Sequence, residues 1–162
     1  MTTVKMAIPR DFILGAAASA WQTEGWSGKQ EGQDSWPDLW YKNDRHVWHN
    51  GYGPAVATDF INRFREDVQL MKLAGLTHYR TSINWSRFLT DYENVTVDEA
   101  YATYYDQLFD ELLANGIEPM ICLEHYELPG YLLEQYGGWA SKKVVALFTQ
   151  YAEKVLDRKS VV

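Results

Sequence analysis

A chain of 162 residues is long enough for one ordinary domain and too short to assume two, and a hydrophobic fraction of 46% supplies a real core. A formal net charge of −7 with no block of Lys or Arg excludes a phosphate-backbone binder, so no nucleic-acid partner is expected. The single cysteine, Cys122, excludes an intrachain disulfide framework and fits a reducing, cytoplasmic setting, and no apolar run reaches membrane-spanning length.

The opening residues "MTTVKMAIPRDF" lack a charged stretch followed by a sustained apolar one, so no secretory leader is expected. The small apolar run "FILGAAASA" (12–20) predicts a first strand that leads into the polar cluster "WQTEGW". Residues 27–54 are rich in Gly, Trp, Asp and Asn and have no period; they read as a long surface excursion, and a structureless loop of that length is usually functional. Phe60, Phe64, Val68 and Met71 recur at helical spacing, predicting a helix over about 58–74 that Gly75 ends. In "THYRTSINW" (77–85), Tyr79, Thr81 and Ile83 alternate with polar neighbours and predict a second strand, followed by a loop to about 97. Tyr101, Tyr105, Leu108 and Leu112 mark a helix over about 98–115, stopped by Asn115-Gly116. "IEPMICLE" (117–124) predicts the third strand. After the loop "HYELPGYLLEQYGGW", a last helix has Ser141 as its N-cap and Val144, Phe148, Tyr151 and Val155 as its apolar stripe.

Strand and helix alternating three times predict a parallel α/β sheet with helices packed against it. The glycines form neither a GxGxxG nor a Walker pattern, which leaves a wound sheet of another kind or part of an α/β barrel. In both, the site lies beyond the C-terminal ends of the strands. Polar residues collect there: Gln22 and Glu24 from the first strand, Arg80 and Asn84 from the second, Glu124, His125 and Glu127 from the third. Trp21, Trp26, Trp85 and Tyr126 stand beside them, and neutral hydrogen-bonding groups among aromatic faces suit an uncharged polyhydroxylated ligand. Each residue also has a plainer reading: Gln22 as a strand cap, His125 bonded to a backbone carbonyl, Arg80 paired with a carboxylate between strands, Glu127 as a solvated loop charge. His46 and His49 are close but have no CxxC or HExxH companion, so no metal and no cofactor are expected. No GxSxG elbow signals a Ser-His-Asp nucleophile, and Cys122, inside an apolar run, reads as an inert buried thiol.

In this order, "FILGAAASAWQTEG", "EDVQLMKLAGLTHYRTSINWSR", "YYDQLFDELLANGIEPMICLEHYELP" and "YGGW" resemble glycoside hydrolase family 1, the β-glucosidase and 6-phospho-β-glucosidase family, over nearly the whole chain. The resemblance implies an α/β fold of the TIM (β/α)₈-barrel family, with residues 1–162 as a single partial domain made of its first three βα units. It implies β-glycoside hydrolysis in carbohydrate metabolism, of the 6-phospho-β-glucosidase type, by a retaining two-carboxylate mechanism. The ligand would be a β-glucoside or a 6-phospho-β-glucoside. Gln22 and His125 would bond hydroxyls of the terminal sugar. Tyr126, in the place of a Trp or Phe, would line the same subsite, and Arg80 would support the charge of the nucleophile.

Three positions depart from the family's pattern: Glu124 replaces a common Tyr or Ser, Thr81 a common Phe and Thr90 a common Pro, and a carboxylate at 124 changes polarity close to the sugar. The T-x-N-E-P motif of the acid/base and the E-N-G motif of the nucleophile do not occur, and the chain stops at Val162, about where a fourth strand is due. The resemblance also places phosphate-contacting residues in a loop after strand eight, beyond this sequence. No catalytic residue is therefore expected in this chain, the isolated polypeptide is expected to be inactive, and nothing in the sequence gives Glu24, Glu124 or Glu127 a raised pKa or a substitute role. Three strands of eight leave two sheet edges, which predicts self-association or a partner that supplies the rest of the barrel. The alternative reading is a non-catalytic carbohydrate-binding or barrel-completing fragment.

Overall fold

A computed structural model describes residues 7–158. Its centre is a parallel sheet of three strands, β1 (Gly15–Ala17), β2 (His78–Ser82) and, later in the chain, β5 (Glu118–Cys122), in the order β1-β2-β5. Gly15 is opposite His78 and Ala17 opposite Arg80; His78 is opposite Glu118 and Ser82 opposite Cys122, so the three C-terminal ends point the same way. A long helix follows each strand: α3 (Phe60–Leu73), α5 (Glu99–Ala114) and α7 (Lys142–Arg158). Three βα units thus stand where the sequence places them.

These helices form where the apolar stripes are. Phe60, Phe64 and Val68 of α3, Tyr101, Tyr105, Leu108 and Leu112 of α5, and Val144 and Tyr151 of α7 are all buried. Asp98 caps α5 by accepting the Tyr101 backbone N–H at 3.1 Å, and the Lys143 N–H donates to Ser141 Oγ at 3.2 Å at the start of α7. Past α3 the chain turns at Gly75, whose φ of +76° costs a residue without Cβ little. The core is strongly aromatic. Trp85, fully buried, stacks on Tyr151 with ring centroids 5.2 Å apart and meets the edge of Phe148 at 5.3 Å. Burying one such ring stabilises by roughly 1.5–3 kcal/mol, and each ring pair adds about 0.5–1.5 kcal/mol.

The helices cover one face of the sheet. That cover is incomplete: β1 is exposed at all three residues, hence on both faces, and on the face away from the helices Met120 of β5 is 53% exposed. Among the described residues, β1 and β5 each pair only with β2, so both outer edges of the sheet lack a strand partner. No helix among them is long and apolar enough to cross a membrane.

The connections hold more structure than the sequence suggests. The stretch 27–54 is not structureless; it contains α2 (Trp36–Asn43) and two short 3₁₀ turns, Arg45–Val47 and His49–Gly51. Pro37 opens α2, and Asp38 Oδ2 accepts both the backbone N–H and the hydroxyl of Ser35, a capping arrangement. Likewise β2 leads to a single turn, α4 (Trp85–Phe88), and a hairpin of β3 (Leu89–Asp91) and β4 (Thr96–Val97). The loop after β5 contains α6 (Gly130–Tyr136). Each strand is shorter than its apolar run.

Candidate functional site

Three loops leave the C-terminal edge of the sheet, and one side chain joins them. After β1 the chain enters a single turn, α1 (Ala20–Thr23), which carries Trp21 and Gln22. After β5 come Glu124, His125, Tyr126 and Glu127. Glu127 is fully buried. Its Oε1 accepts the Trp21 backbone N–H at 3.3 Å and the Ser82 hydroxyl at 2.6 Å, and its Oε2 accepts the His125 backbone N–H. Ser82 Oγ in turn accepts the Ala20 N–H at 2.8 Å. The ends of all three strands therefore meet on one carboxyl group, and the backbones beside Gln22 and at His125 are tied at the same end of the molecule.

Glu127 corrects two expectations. It is not a solvated loop charge, and its pKa is not ordinary: burial pushes it up to about 8, against the Ser82, His125 and Trp21 hydrogen bonds that favour the ionised form. Glu24 is likewise removed from solvent. It does not join the strand-end cluster but accepts hydrogen bonds from Tyr101 and Tyr105 of α5, with Arg87 Nη1 4.0 Å away. Burial raises its pKa, opposed by Arg87 and the tyrosine hydroxyls. Arg87 donates to the carbonyls of Gly25 (3.0 Å) and Ser27 (2.6 Å) and lies over the Tyr101 ring, so this buried network fixes the chain just beyond α1.

Gln22 is exposed and lines a pocket of about 190 Å³ with Trp21, Trp48, Tyr52 and Pro54. His125 is half-buried; its ring meets Tyr126 edge-on at 4.9 Å. From there a continuous series of rings runs Tyr126–Trp36 (6.4 Å), Trp36–Trp40 (5.9 Å), Trp40–Trp48 (5.6 Å) and Trp48–Trp21 (5.2 Å). It links the loop after β5 to the residue beside Gln22. Tyr126 adopts a φ of 78°, a left-handed conformation unusual for a residue with a side chain.

Arg80 is half-buried, and its partner is a carbonyl rather than a carboxylate: Nη1 donates to Ala18 O at 2.9 Å and ties β2 to the chain leaving β1. Asn84 is buried, its Oδ1 accepting the Ser86 hydroxyl at 2.7 Å, so it serves the α4 turn. Cys122 is half-buried rather than buried.

Sequence reasoning missed three organising residues: Ser82, Glu127 as an anchor, and Asp38. Asp38 Oδ1 accepts the indole N–H groups of Trp21 (3.0 Å) and Trp26 (2.9 Å), and Oδ2 pairs with Lys29 at 2.6 Å. The signal for Asp38 was present in Ser35-Trp36-Pro37-Asp38, a helix-start pattern. Nothing local marks Ser82.

Residues 4–160 match the sequence profile of glycosyl hydrolase family 1. Among curated relatives, a 6-phospho-beta-glucosidase of Bacillus subtilis is 37% identical over 151 residues, 93% of this chain and 32% of that protein. A cytosolic beta-glucosidase of Cavia porcellus is 36% identical over 149 residues, 91% of this chain and 31% of that protein. The solved structure of a psychrophilic beta-glucosidase from Micrococcus antarcticus superposes with a TM-score of 0.85 at 38% identity, over 94% of this chain and 32% of that one. The chain spans about a third of the length of the relatives it matches.

Proposed function

Because the chain belongs to glycosyl hydrolase family 1, with the α/β fold of part of a (β/α)₈ barrel, we propose that it carries the sugar-gripping part of a β-glycosidase site. The observation that carries this reading is the meeting of the three strand ends on Glu127, with the aromatic series running from Tyr126 to Trp21. Gln22 offers an amide that both donates and accepts, His125 a ring nitrogen, and Tyr126 an exposed ring face; together these grip a pyranose through hydroxyls and stacking. Arg80, anchored at Ala18 O, supports the charge of a carboxylate supplied beyond this sequence.

Retaining glycoside hydrolysis needs two carboxyl groups about 5–5.5 Å apart, one as acid/base and one as nucleophile. The T-x-N-E-P and E-N-G motifs that would supply them do not occur in this sequence, so these 162 residues, taken as one partial-barrel domain, bind without cleaving. We assign the substrate class as 6-phospho-β-glucosides acted on in the cytoplasm, supported by a relative named as a 6-phospho-beta-glucosidase and one named as an aryl-phospho-beta-D-glucosidase. The test is a titration of the polypeptide with glucose, cellobiose and their 6-phosphates, followed by tryptophan fluorescence, alongside turnover of aryl β-glucosides with and without phosphate. Saturable binding lost on Gln22→Ala or His125→Ala, without turnover, supports the reading. Turnover abolished by Glu124→Gln or Glu127→Gln overturns it.

The open face and unpartnered edges favour a second reading, in which the chain self-associates or completes the barrel of another polypeptide. Co-purification with a chain that carries both missing motifs would support it, and a compact monomer with cooperative unfolding would oppose it.

A further inference from the structure

We propose that Glu127 is a positioning residue, a single buried anchor that locks the segment carrying Gln22 to the segment carrying His125 and so sets the spacing of the sugar grip. The inference rests on the sugar-binding reading above. Its geometry is a division of labour between two oxygens of one rigid, planar group. Oε1 serves the first strand's loop and the second strand's last residue, through the Trp21 N–H and the Ser82 hydroxyl. Oε2 serves the third strand's loop, through the His125 N–H. Trp21 and Glu127 are 106 residues apart in sequence, so the bond is a tertiary lock and not a local turn. Because the two oxygens cannot move independently, a displacement of either segment is passed to the other.

Ser82 makes the lock directional. Its hydroxyl accepts from Ala20 N–H and therefore donates its own proton to Glu127, so the Ala20–Trp21 turn is held twice, once directly and once through β2. As a carboxylate the group accepts on both oxygens, as its three donor partners require, whereas a carboxamide offers one accepting oxygen and a donor NH₂. Glu127→Gln therefore deprives at least one segment of its anchor. Glu127→Asp keeps the chemistry but withdraws it by one methylene, so it restores part of the lock.

The test is backbone amide hydrogen exchange by NMR on the wild type, Glu127→Gln and Glu127→Asp, with a parallel glucose titration. In Glu127→Gln, the Trp21 or His125 amide should exchange at least tenfold faster while the Leu108 amide in the core of α5 keeps its rate. Glucose affinity should fall at least tenfold, and Glu127→Asp should recover part of both. Exchange that accelerates equally at Leu108, or an unlocked segment with unchanged glucose affinity, reduces Glu127 to a stability residue and overturns the inference. Should Glu127→Gln not fold, the wild type alone decides: glucose should slow exchange at Trp21 and His125 together, and a response at only one of them overturns the inference. A wild type that binds no glucose overturns the sugar reading, and the positioning role with it.

Discussion

Glu127 should make the stability of the fold depend on pH in a way that a single isosteric substitution removes. Its carboxyl is wholly buried, and burial lifts its pKa from an ordinary 4.5 to about 8. Between those two values the folded chain holds a proton that the unfolded chain has released. Folding is then favoured most below about 4.5, and the contribution is lost as pH rises through about 8. At about 1.4 kcal/mol for each tenfold change in proton affinity, the full window corresponds to about 5 kcal/mol, an upper bound comparable to the stability of many small domains. Glu24 is shifted in the same direction, so the wild type carries two such slopes and Glu127→Gln removes one. Between pH 5.5 and 7.5 the wild type should lose about 2–3 kcal/mol more than Glu127→Gln. With a urea slope of about 2 kcal/mol per molar, that is a midpoint falling by about 1 M more in the wild type. Tryptophan fluorescence through a urea series at the two pH values measures it. Parallel midpoints for the two proteins would refute the reasoning, because the carboxyl would then titrate alike in the folded and unfolded chain.

Arg87→Met should destabilise by about 3–5 kcal/mol, since it strips Glu24 of its neighbouring cation and the carbonyls of Gly25 and Ser27 of their donor; urea unfolding at neutral pH reads it, and a loss below about 1 kcal/mol would sink the network. Tyr151→Phe keeps the ring stacked on Trp85 but removes the hydroxyl that donates to Ile83 O at 3.2 Å and Leu123 O at 2.9 Å. It should cost about 1–2 kcal/mol and speed amide exchange around residues 123–125. Asp98→Ala removes the cap of α5 together with the acceptor of Gln30 and Gln33 Nε2, and should lower stability by about 1–2 kcal/mol, checked by thermal unfolding.

The three long helices were legible because their buried residues recur at the helical period and the turns after α3 and α5 end on Gly75 and Gly116. Strand existence was legible too, but strand ends were not: Ile83 stays buried beyond the last residue of β2, so apolar character outlasts the ladder. The helix α2 escaped notice because 27–54 has no apolar period, although Ser35, Pro37 and Asp38 spelled its start. The candidate site was half legible. Gln22 and His125 could be placed at the strand ends by topology alone. The burial of Glu127 could not, because a glutamate between a tyrosine and Leu-Pro looks solvated until donors 45 and 106 residues away are brought against it. Glu24 misled for the same reason, its partners lying on α5.

The left-handed torsion at Tyr126 sets two demands against each other at one residue. Glycine would accept that φ without a Cβ clash, releasing about 1–2 kcal/mol of strain, less about 0.4–1 kcal/mol for the freer unfolded chain it creates. The same exchange would delete the ring that meets His125 and Trp36. If Tyr126 lines the proposed sugar grip, a thermostability screen of this position should select the variant least able to hold a ligand, and a selection for ligand capture should restore the strained aromatic.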